Sequence, residues 1–263
     1  MSQLDLLITV KAYPNPSKQL GEAACIAGVS KAGKFVRLYP IPFRDLDDSK
    51  RFQKYQWVRL RVADPKTDNR PETLRPNFST LEVLSEPLST KNSWAARWDV
   101  LRPLVSHSMC DIQDAQAKTK ASLGLFKPAE ILDVEAEEES PREWTQRERD
   151  RLAQQDFFLS SDKESLEKIP IAFFYRFRCQ DCRNKNPHRM KIIDWELAQL
   201  WRRERRGHDE RAAIQNVRER FLDDLCGPKI NTHFFTGNMQ RYPKNFLILG
   251  VMWPKISRQV ALF

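Results

Sequence analysis

Five short segments of β-forming residues, each followed by turn-forming or charged residues, fill the first third of the chain and constrain its fold more than any other feature. They are residues 4–12, 23–28, 35–39, 57–62 and 80–84. In 57–62 (WVRLRV), apolar and basic side chains alternate with the period of two that is typical of a half-buried strand. Short strands at this spacing predict a small antiparallel barrel.

The remaining two thirds of the chain mix helical and extended patterns. Helices are predicted over residues 92–120, 141–155, 195–206 and 209–225, the third of them capped by Asp194. Strands are predicted over residues 131–135, 169–178, 190–193, 232–236 and 245–253, the last two joined by a turn at Gly237 and Asn238. The acidic run 133–139 (DVEAEEE) is expected to be a solvated linker or cap.

Charge suggests a polyanionic partner. The 44 basic and 35 acidic residues give a net charge of +9. The surplus is concentrated, because residues 31–75 hold 12 basic against 6 acidic side chains and residues 176–206 hold 10 against 4. Nucleic acid is the simplest partner for such stretches, although a merely basic soluble protein has the same net charge.

Composition and missing motifs exclude several classes of protein. The 27 aromatic residues exclude a disordered chain, and no apolar run reaches the roughly 18 residues of a membrane span. Five cysteines and a first segment without the pattern of a secretory signal predict a cytoplasmic protein without disulfides. No phosphate-binding glycine loop and no HExxH or GxSxG motif is present, so nothing indicates an ATPase, dehydrogenase, kinase or serine hydrolase.

The sharpest local motif is Cys179-x2-Cys182-x5-His188, on a loop between two β-type segments. Thiolates and imidazole at this spacing are typical zinc ligands. A fourth ligand has to come from Cys226, His208, His233 or Cys110, and the sequence does not choose among them. Two free cysteines beside an unrelated histidine, or a redox dithiol, are the alternatives.

A second candidate is a catalytic metal centre. Asp194 and Glu196 lie two residues apart, close to His188, and such a set could hold Mg²⁺ and activate water in a nuclease. The lysine that usually follows the second acid of a nuclease is missing, because Glu196 precedes Leu197 and Ala198. The alternative is that Asp194 only caps a helix.

Basic strands interleaved with aromatic residues form the third candidate site. Single-strand binding needs rings that stack on bases and cations that contact phosphates. The predicted phosphate contacts are Arg37, Arg44, Arg59, Arg61, Arg176 and Arg178. The predicted stacking residues are Tyr39, Trp57 and Phe174. The alternative is that the rings face the core and the arginines only face water.

Six segments give the chain a resemblance to known proteins. Three resemble the strands of prokaryotic dual-OB-domain proteins: residues 24–29 (ACIAGV), 35–42 (FVRLYPIP) and 55–62 (YQWVRLRV). Three others resemble a widespread family of uncharacterised bacterial and archaeal proteins: residues 121–128, 179–196 and 246–250. The chain departs from the dual-OB pattern at Leu38 and Tyr39, which precede Pro40, and in its Cys/His loop.

The resemblance implies two OB-like antiparallel barrels or sheets. With the helical pattern of the middle segment and the Cys/His motif, the chain is predicted to have a β-rich α+β fold with a helical insertion and a zinc loop. The implied division is an OB-like barrel at 1–90, a helical and extended connector at 91–165 and a second OB-like α+β domain at 166–263. It also implies nucleic-acid binding, as an accessory of a prokaryotic defence or mobile-element system, and it brings no catalytic residue with it. A metal-dependent nuclease and a protein-interaction module of a defence complex are the alternative functions.

Overall fold

The computed structural model describes residues 1–18, 20–65, 68–156 and 165–256. Within these residues the strands are β1 (Ser2–Lys11), β2 (Asn15–Ser17), β3 (Gly21–Ser30), β4 (Phe35–Ile41), β5 (Trp57–Ala63), β6 (Thr73–Val83), β7 (Val105–Ser106), β8 (Leu123–Phe126), β9 (Pro128–Glu138), β10 (Ile171–Cys179), β11 (His188–Lys191), β12 (His233–Met239) and β13 (Tyr242–Met252). The α-helices are α1 (Lys91–Leu101), α2 (Met109–Thr119), α3 (Gln146–Asp156), α4 (Trp195–Gly207) and α5 (Glu210–Glu219). None of these helices is long and apolar enough to cross a membrane.

The first five predicted strands close into a barrel. Their order is β1-β5-β6-β4-β3, and β3 pairs back onto β1. Every neighbouring pair is antiparallel except β4 and β6, which are parallel. The alternation in β5 sets the barrel's inside and outside, because Val58, Leu60 and Val62 are buried in its core while Arg61 is exposed. The prediction of a small barrel is confirmed, although its strands are not all antiparallel.

Two predicted elements differ in length from those in the structure. The strand expected at 80–84 is the end of the longer β6, which begins at Thr73. The helix expected over 92–120 is two helices, α1 and α2. A 3-10 turn at Arg102–Leu104 and the short strand β7 lie between them, because Pro103 has no backbone N–H to continue the helical ladder.

The rest of the chain forms two sheets with helices packed over them. One sheet has the order β11-β10-β9 and the other β13-β12-β8-β7. Strands β8 and β9 belong to the segment predicted as a connector, yet they pair with β12 and β10 and so form part of the C-terminal sheets. Helix α4 covers this core with Trp201, which is fully buried against Phe173.

The acidic run 133–139 is not a solvated linker. It falls largely in β9, which pairs along its length with the arginine-bearing strand β10. Glu135 accepts from Arg189 at 2.6 Å and lies 3.5 Å from Arg176. Acid and base on neighbouring strands therefore neutralise each other across this sheet.

The predicted hairpin of β12 and β13 is present, but its turn lies at Gln240 and Arg241, not at Gly237 and Asn238. Gly237 lies inside β12 for a packing reason. A Cβ atom there would lie 2.7 Å from Leu249 Cδ1 and 3.0 Å from Leu123 Cδ2. Glycine at this position allows the neighbouring strands' side chains to pack over the backbone.

Buried polar contacts join the barrel to the C-terminal sheets. Arg37 is 1% exposed, and its guanidinium donates to the Oγ of Ser122 at 2.6 Å and to the carbonyl of Ser122 at 3.1 Å. Glu72 accepts from the backbone N–H and the hydroxyl of the same Ser122. Arg37 therefore fixes the position of β8 against the barrel, and no phosphate can reach it in this structure.

Candidate metal centre and interdomain cleft

Four potential metal ligands converge from three elements. Cys110 lies in the first turn of α2, which Ser108 caps by accepting from the N–H of Asp111. Cys179 ends β10, Cys182 lies in the following turn, and His188 begins β11. The antiparallel pairing of β10 with β11 brings the two ends of this turn together, and the packing of α2 on the same core adds the fourth ligand.

The distances between these ligand atoms match those around a tetrahedral ion. His188 Nε2 lies 3.3 Å from Cys179 Sγ, 3.4 Å from Cys182 Sγ and 3.8 Å from Cys110 Sγ. The Sγ atoms of Cys179 and Cys110 are 3.7 Å apart. Bonds of about 2.3 Å to sulfur and 2.0 Å to nitrogen separate the ligand atoms of a tetrahedral zinc ion by roughly 3.5–3.8 Å. The four residues could therefore hold a metal such as zinc.

The surroundings of the cluster suit metal binding. Burial lowers the pKa of His188, which keeps the imidazole neutral, as a ligand must be. The ring stacks on Phe177 at 5.1 Å between centroids, and the side-chain amide of Asn184 lies 3.3 Å from its Nδ1. Outer contacts of this kind fix the orientation of a ligating histidine.

The structure selects Cys110 among the four residues considered for the fourth position. Cys110 precedes the motif by 69 residues, and its helix reaches the cluster only through tertiary packing. No local spacing indicates it. The predicted ligands Cys179, Cys182 and His188 do come together, as the motif indicated.

A second feature is a cleft of about 720 Å³ between the barrel and the C-terminal sheets, hereafter the interdomain cleft. Its charged side chains are four cations and one acid: Lys11, Lys54, Arg97, Lys255 and Glu196. Its aromatic side chains are Tyr55, Trp94, Trp195 and Trp253. The cleft therefore combines positive charge with aromatic surface.

Cations and rings are in direct contact along the cleft. Lys11 Nζ lies 3.9 Å from the ring centroid of Phe43 and 5.5 Å from that of Trp195. The Arg97 guanidinium lies 3.7 Å above the ring of Tyr55 and 4.3 Å from that of Trp94. These cation–π contacts hold the rings at fixed positions. Burial, with the nearby charge of Lys54, lowers the pKa of Lys11 to about 8, so its amine still carries a proton at neutral pH.

The floor of the interdomain cleft is a buried ion pair. Lys54 Nζ donates to both carboxylate oxygens of Asp194, at 2.8 and 2.9 Å, and lies 3.3 Å from Glu196 Oε2. Asp194 is 1% exposed and also caps α4 by accepting from the N–H of Glu196 at 3.0 Å. This ion pair joins Lys54 of the barrel to Asp194 at the start of α4.

Backbone strain is concentrated at the same place. Tyr55 has φ of +67°, and Asn92, Ser93 and Trp94 follow one another in the left-handed region with φ between +51° and +67°. Each non-glycine residue held there costs about 1–2 kcal/mol. Tyr55, Ser93 and Trp94 all line the interdomain cleft. Strain of this kind is concentrated at functional sites, where the surroundings hold it in place.

The three residues predicted as a catalytic metal centre are not assembled. His188 faces the cysteines, whereas Asp194 and Glu196 lie at the floor of the interdomain cleft. Within the described part of the chain, the Cys/His cluster is the one group of three or more such side chains close enough to share an ion. Both oxygens of Asp194 are engaged by Lys54, so Asp194 is a helix cap and an ion-pair partner here.

The four arginines predicted for phosphate contact on the barrel lie in three different environments. Arg37 is buried, as described above. Arg44 pairs with Glu22 at 3.0 Å, and Arg59 pairs with Asp5 at 2.7 Å. Arg61 is exposed on the barrel surface. The two rings predicted to stack also differ, since Tyr39 is 39% exposed and Trp57 is half-buried.

The predicted residues of β10 lie on the outer face of its sheet. Phe174 is covered by the guanidinium of Arg189, 3.6 Å from its ring centroid. Arg176 is exposed beside Glu135, and Arg178 is half-buried. The opposite face, with Phe173, Tyr175 and Phe177, is core, as the alternation predicted.

The cleft residues were missed because they come from separate parts of the sequence. The segments that meet there are residues 11, 53–55, 87–97, 195–196 and 251–255. The available signal was the tryptophan content, seven in all, three of which line one cleft. Nothing local to Trp94, Trp195 or Trp253 indicates that they meet.

Two family models divide the chain between the barrel and the C-terminal sheets. A model described as Domain of unknown function (DUF8757) matches residues 105–263. A second, described as Domain of unknown function (DUF8758), matches residues 2–103. No curated protein sequence matches the chain. The interdomain cleft is lined from both matched regions, whereas all four potential metal ligands belong to the first.

Proposed function

The chain belongs to the family described as Domain of unknown function (DUF8757), and for this member we propose that it binds single-stranded nucleic acid in the interdomain cleft. One observation supports this most directly: cations and aromatic rings converge there, and Lys11, Lys255, Trp195 and Trp253 among them are not buried. Bases stack on rings without regard to sequence, and phosphates need cations nearby. A cleft of this size takes one or two nucleotides of a strand.

The charge distribution elsewhere supports the same location. Of the six arginines suggested by sequence on β10 and the barrel, three are paired with acids and Arg37 is buried. In the interdomain cleft, Lys54 is paired with Asp194 and Glu196, but among the described residues no acid forms an ion pair with Lys11 or Lys255. The strained backbone at Tyr55 and Trp94 also lies there. The five-stranded barrel with its parallel β4–β6 pair supports an OB-like interpretation, and OB barrels commonly bind oligonucleotides.

In this proposal a zinc ion bound by Cys110, Cys179, Cys182 and His188 has a structural role. Three thiolates and one imidazole in tetrahedral array favour zinc over harder cations. All four positions are taken by protein ligands, which is the arrangement of a structural site. The ion would tie the β10–β11 turn to α2.

Binding is tested with a labelled single strand of about 12 nucleotides and its duplex, titrated across a salt series. Arg97 is buried and Lys54 is held by Asp194, so Lys11 and Lys255 offer about two phosphate contacts. The logarithm of affinity is therefore expected to fall with the logarithm of salt with a slope of about −1.4. The single strand is expected to bind at least tenfold more tightly than the duplex, because each stacked base contributes about 1–3 kcal/mol.

A matched pair of charge reversals locates the site. Lys255→Glu in the cleft is expected to weaken binding about tenfold and to flatten the salt slope by about 1. Arg61→Glu makes the same change of charge on the exposed outer surface of the barrel, and it is expected to change affinity less than threefold. Both side chains are exposed, so neither substitution disturbs the core. Equal effects of the two reversals, or equal affinity for duplex and single strand, would contradict the proposal.

A further inference from the structure

Among the described residues, Glu196 is the one acid in the lining of the interdomain cleft, whose other charged side chains are cations. A carboxylate at this position repels phosphate, so binding of phosphate alone does not explain its presence. Capping of α4 does not fully explain why an acidic residue is present at this position. The helix is already capped by the buried carboxylate of Asp194, which accepts from the backbone N–H of Glu196.

The Glu196 carboxylate is open to a ligand. The side chain is 56% exposed, and its Oε2 lies 3.3 Å from Lys54 Nζ. Among the described residues no donor bonds to Oε1. Lys54 is itself held by Asp194, so it orients the Glu196 carboxylate from beneath. The neighbouring residue Trp195 also lines the interdomain cleft, so the cleft offers both a ring and a hydrogen-bond acceptor.

The chemistry of the bases decides which of them suits such an acceptor. Proteins that bind single strands read the Watson–Crick edges of unstacked bases. Guanine presents two adjacent donors there, N1–H and the N2 amine, which match the two oxygens of a carboxylate. Adenine and cytosine present one amine beside a ring-nitrogen acceptor, and thymine and uracil present one N–H between two carbonyls. An acceptor-only group therefore favours guanine.

We propose that Glu196 is a specificity-determining residue that selects guanine at the interdomain cleft, where Trp195 stacks on the base. This inference rests on the proposed binding of single-stranded nucleic acid. It adds a base preference that positive charge and stacking alone do not supply. The contribution of two such hydrogen bonds is about 1–3 kcal/mol of discrimination, which corresponds to roughly 10- to 100-fold in affinity.

The test uses oligothymidylate 11-mers with one central guanine, hypoxanthine, adenine or thymine, titrated at one fixed salt concentration. The wild-type protein is expected to prefer guanine over adenine and thymine by about tenfold or more. Hypoxanthine, which keeps N1–H and lacks the N2 amine, is expected to fall between them. A single guanine in thymidylate avoids the self-association of guanine-rich strands.

Two variants separate base reading from charge. Glu196→Gln is expected to bind the adenine and thymine strands more tightly, because it removes a negative charge, and to lose the guanine preference. Glu196→Asp keeps the charge but withdraws the carboxylate, so it is expected to lose the preference at unchanged affinity for the all-thymine strand. Glu210→Gln is the control, because Glu210 is likewise a first-turn glutamate, on α5.

Each outcome bears on a different statement. Equal wild-type affinity for the four oligonucleotides overturns the selection of guanine while leaving single-strand binding intact. A guanine preference that survives in Glu196→Gln assigns the selection to other residues and also overturns the inference. A wild-type protein that binds none of the four oligonucleotides contradicts the proposed function itself.

Discussion

Replacing Cys182 with serine is expected to abolish zinc retention and to lower the midpoint of thermal unfolding by about 10–20 °C. The purified wild-type protein is expected to contain one zinc ion per chain. A structural zinc site contributes a large share of folding free energy, about 10–16 kcal/mol in small zinc peptides. Even a third of that amount gives the stated shift, at about 2–4 °C per kcal/mol in a chain of this size. Elemental analysis and calorimetry measure the two quantities.

Cys226→Ser is the matched control for this experiment. Cys226 lies outside the cluster, and its thiol contacts the carbonyl of Phe221 at 3.2 Å, a contact that a hydroxyl can keep. It is expected to leave the zinc content at one and to move the midpoint only slightly. Wild-type protein free of metal after expression with zinc, or equal midpoints for the two serine variants, would count against the metal centre.

The second large effect is expected from Lys54→Met. This change leaves the carboxylate of Asp194 buried without its partner, and removing one member of a buried ion pair costs about 3–5 kcal/mol. The double variant Lys54→Met with Asp194→Asn removes both charges and keeps an acceptor for the helix cap. It is expected to recover at least half of the loss. Denaturant unfolding of the wild type, the two single variants Lys54→Met and Asp194→Asn, and the double variant measures the coupling between the two residues.

The pH dependence of the Lys54→Met deficit follows from the pKa of Asp194. Burial raises the pKa of Asp194, and Lys54 opposes that rise in the wild-type protein. Without Lys54 the folded state holds the Asp194 proton more tightly than the unfolded state. Stability is then greatest at low pH and is lost as pH rises through the folded-state pKa. The stability deficit of the variant is therefore expected to be smaller at pH 5 than at pH 8. A deficit below 1 kcal/mol at both pH values would contradict the proposed role of the pair.

The barrel could be predicted from sequence because each of its strands has a local pattern of β-forming residues. The alternation in β5 determines which side chains face the barrel core, and Asp194 is recognisable as a helix cap before the structure is seen. The motif of Cys179, Cys182 and His188 is equally local, because a short turn between paired strands brings its members together.

The rest depends on contacts between distant parts of the chain. Glu135 on the acidic strand β9 pairs with Arg176 on β10 and Arg189 on β11. The net charge counted along a stretch of sequence is therefore larger than the charge available on that surface. The sequence pattern of its strand predicts that Arg37 faces solvent, but its guanidinium donates to Ser122 in the C-terminal part of the chain. Cys110 and the cleft tryptophans join their sites only when the two parts pack together. Sequence patterns within one strand or helix do not contain that information.

Photocrosslinking tests the central statement, that a single strand lies in the interdomain cleft, most directly. A thymidylate 12-mer carrying 4-thiothymidine is bound to the wild-type protein and irradiated, and the attached peptides are mapped by mass spectrometry. Crosslinks are expected at the half-buried cleft rings Trp195 and Trp253, and the Lys255→Glu variant is expected to need about tenfold more strand for the same crosslink yield. Crosslinks confined to the outer faces of β5 or β10, or none when the strand is saturating, would contradict binding in the cleft.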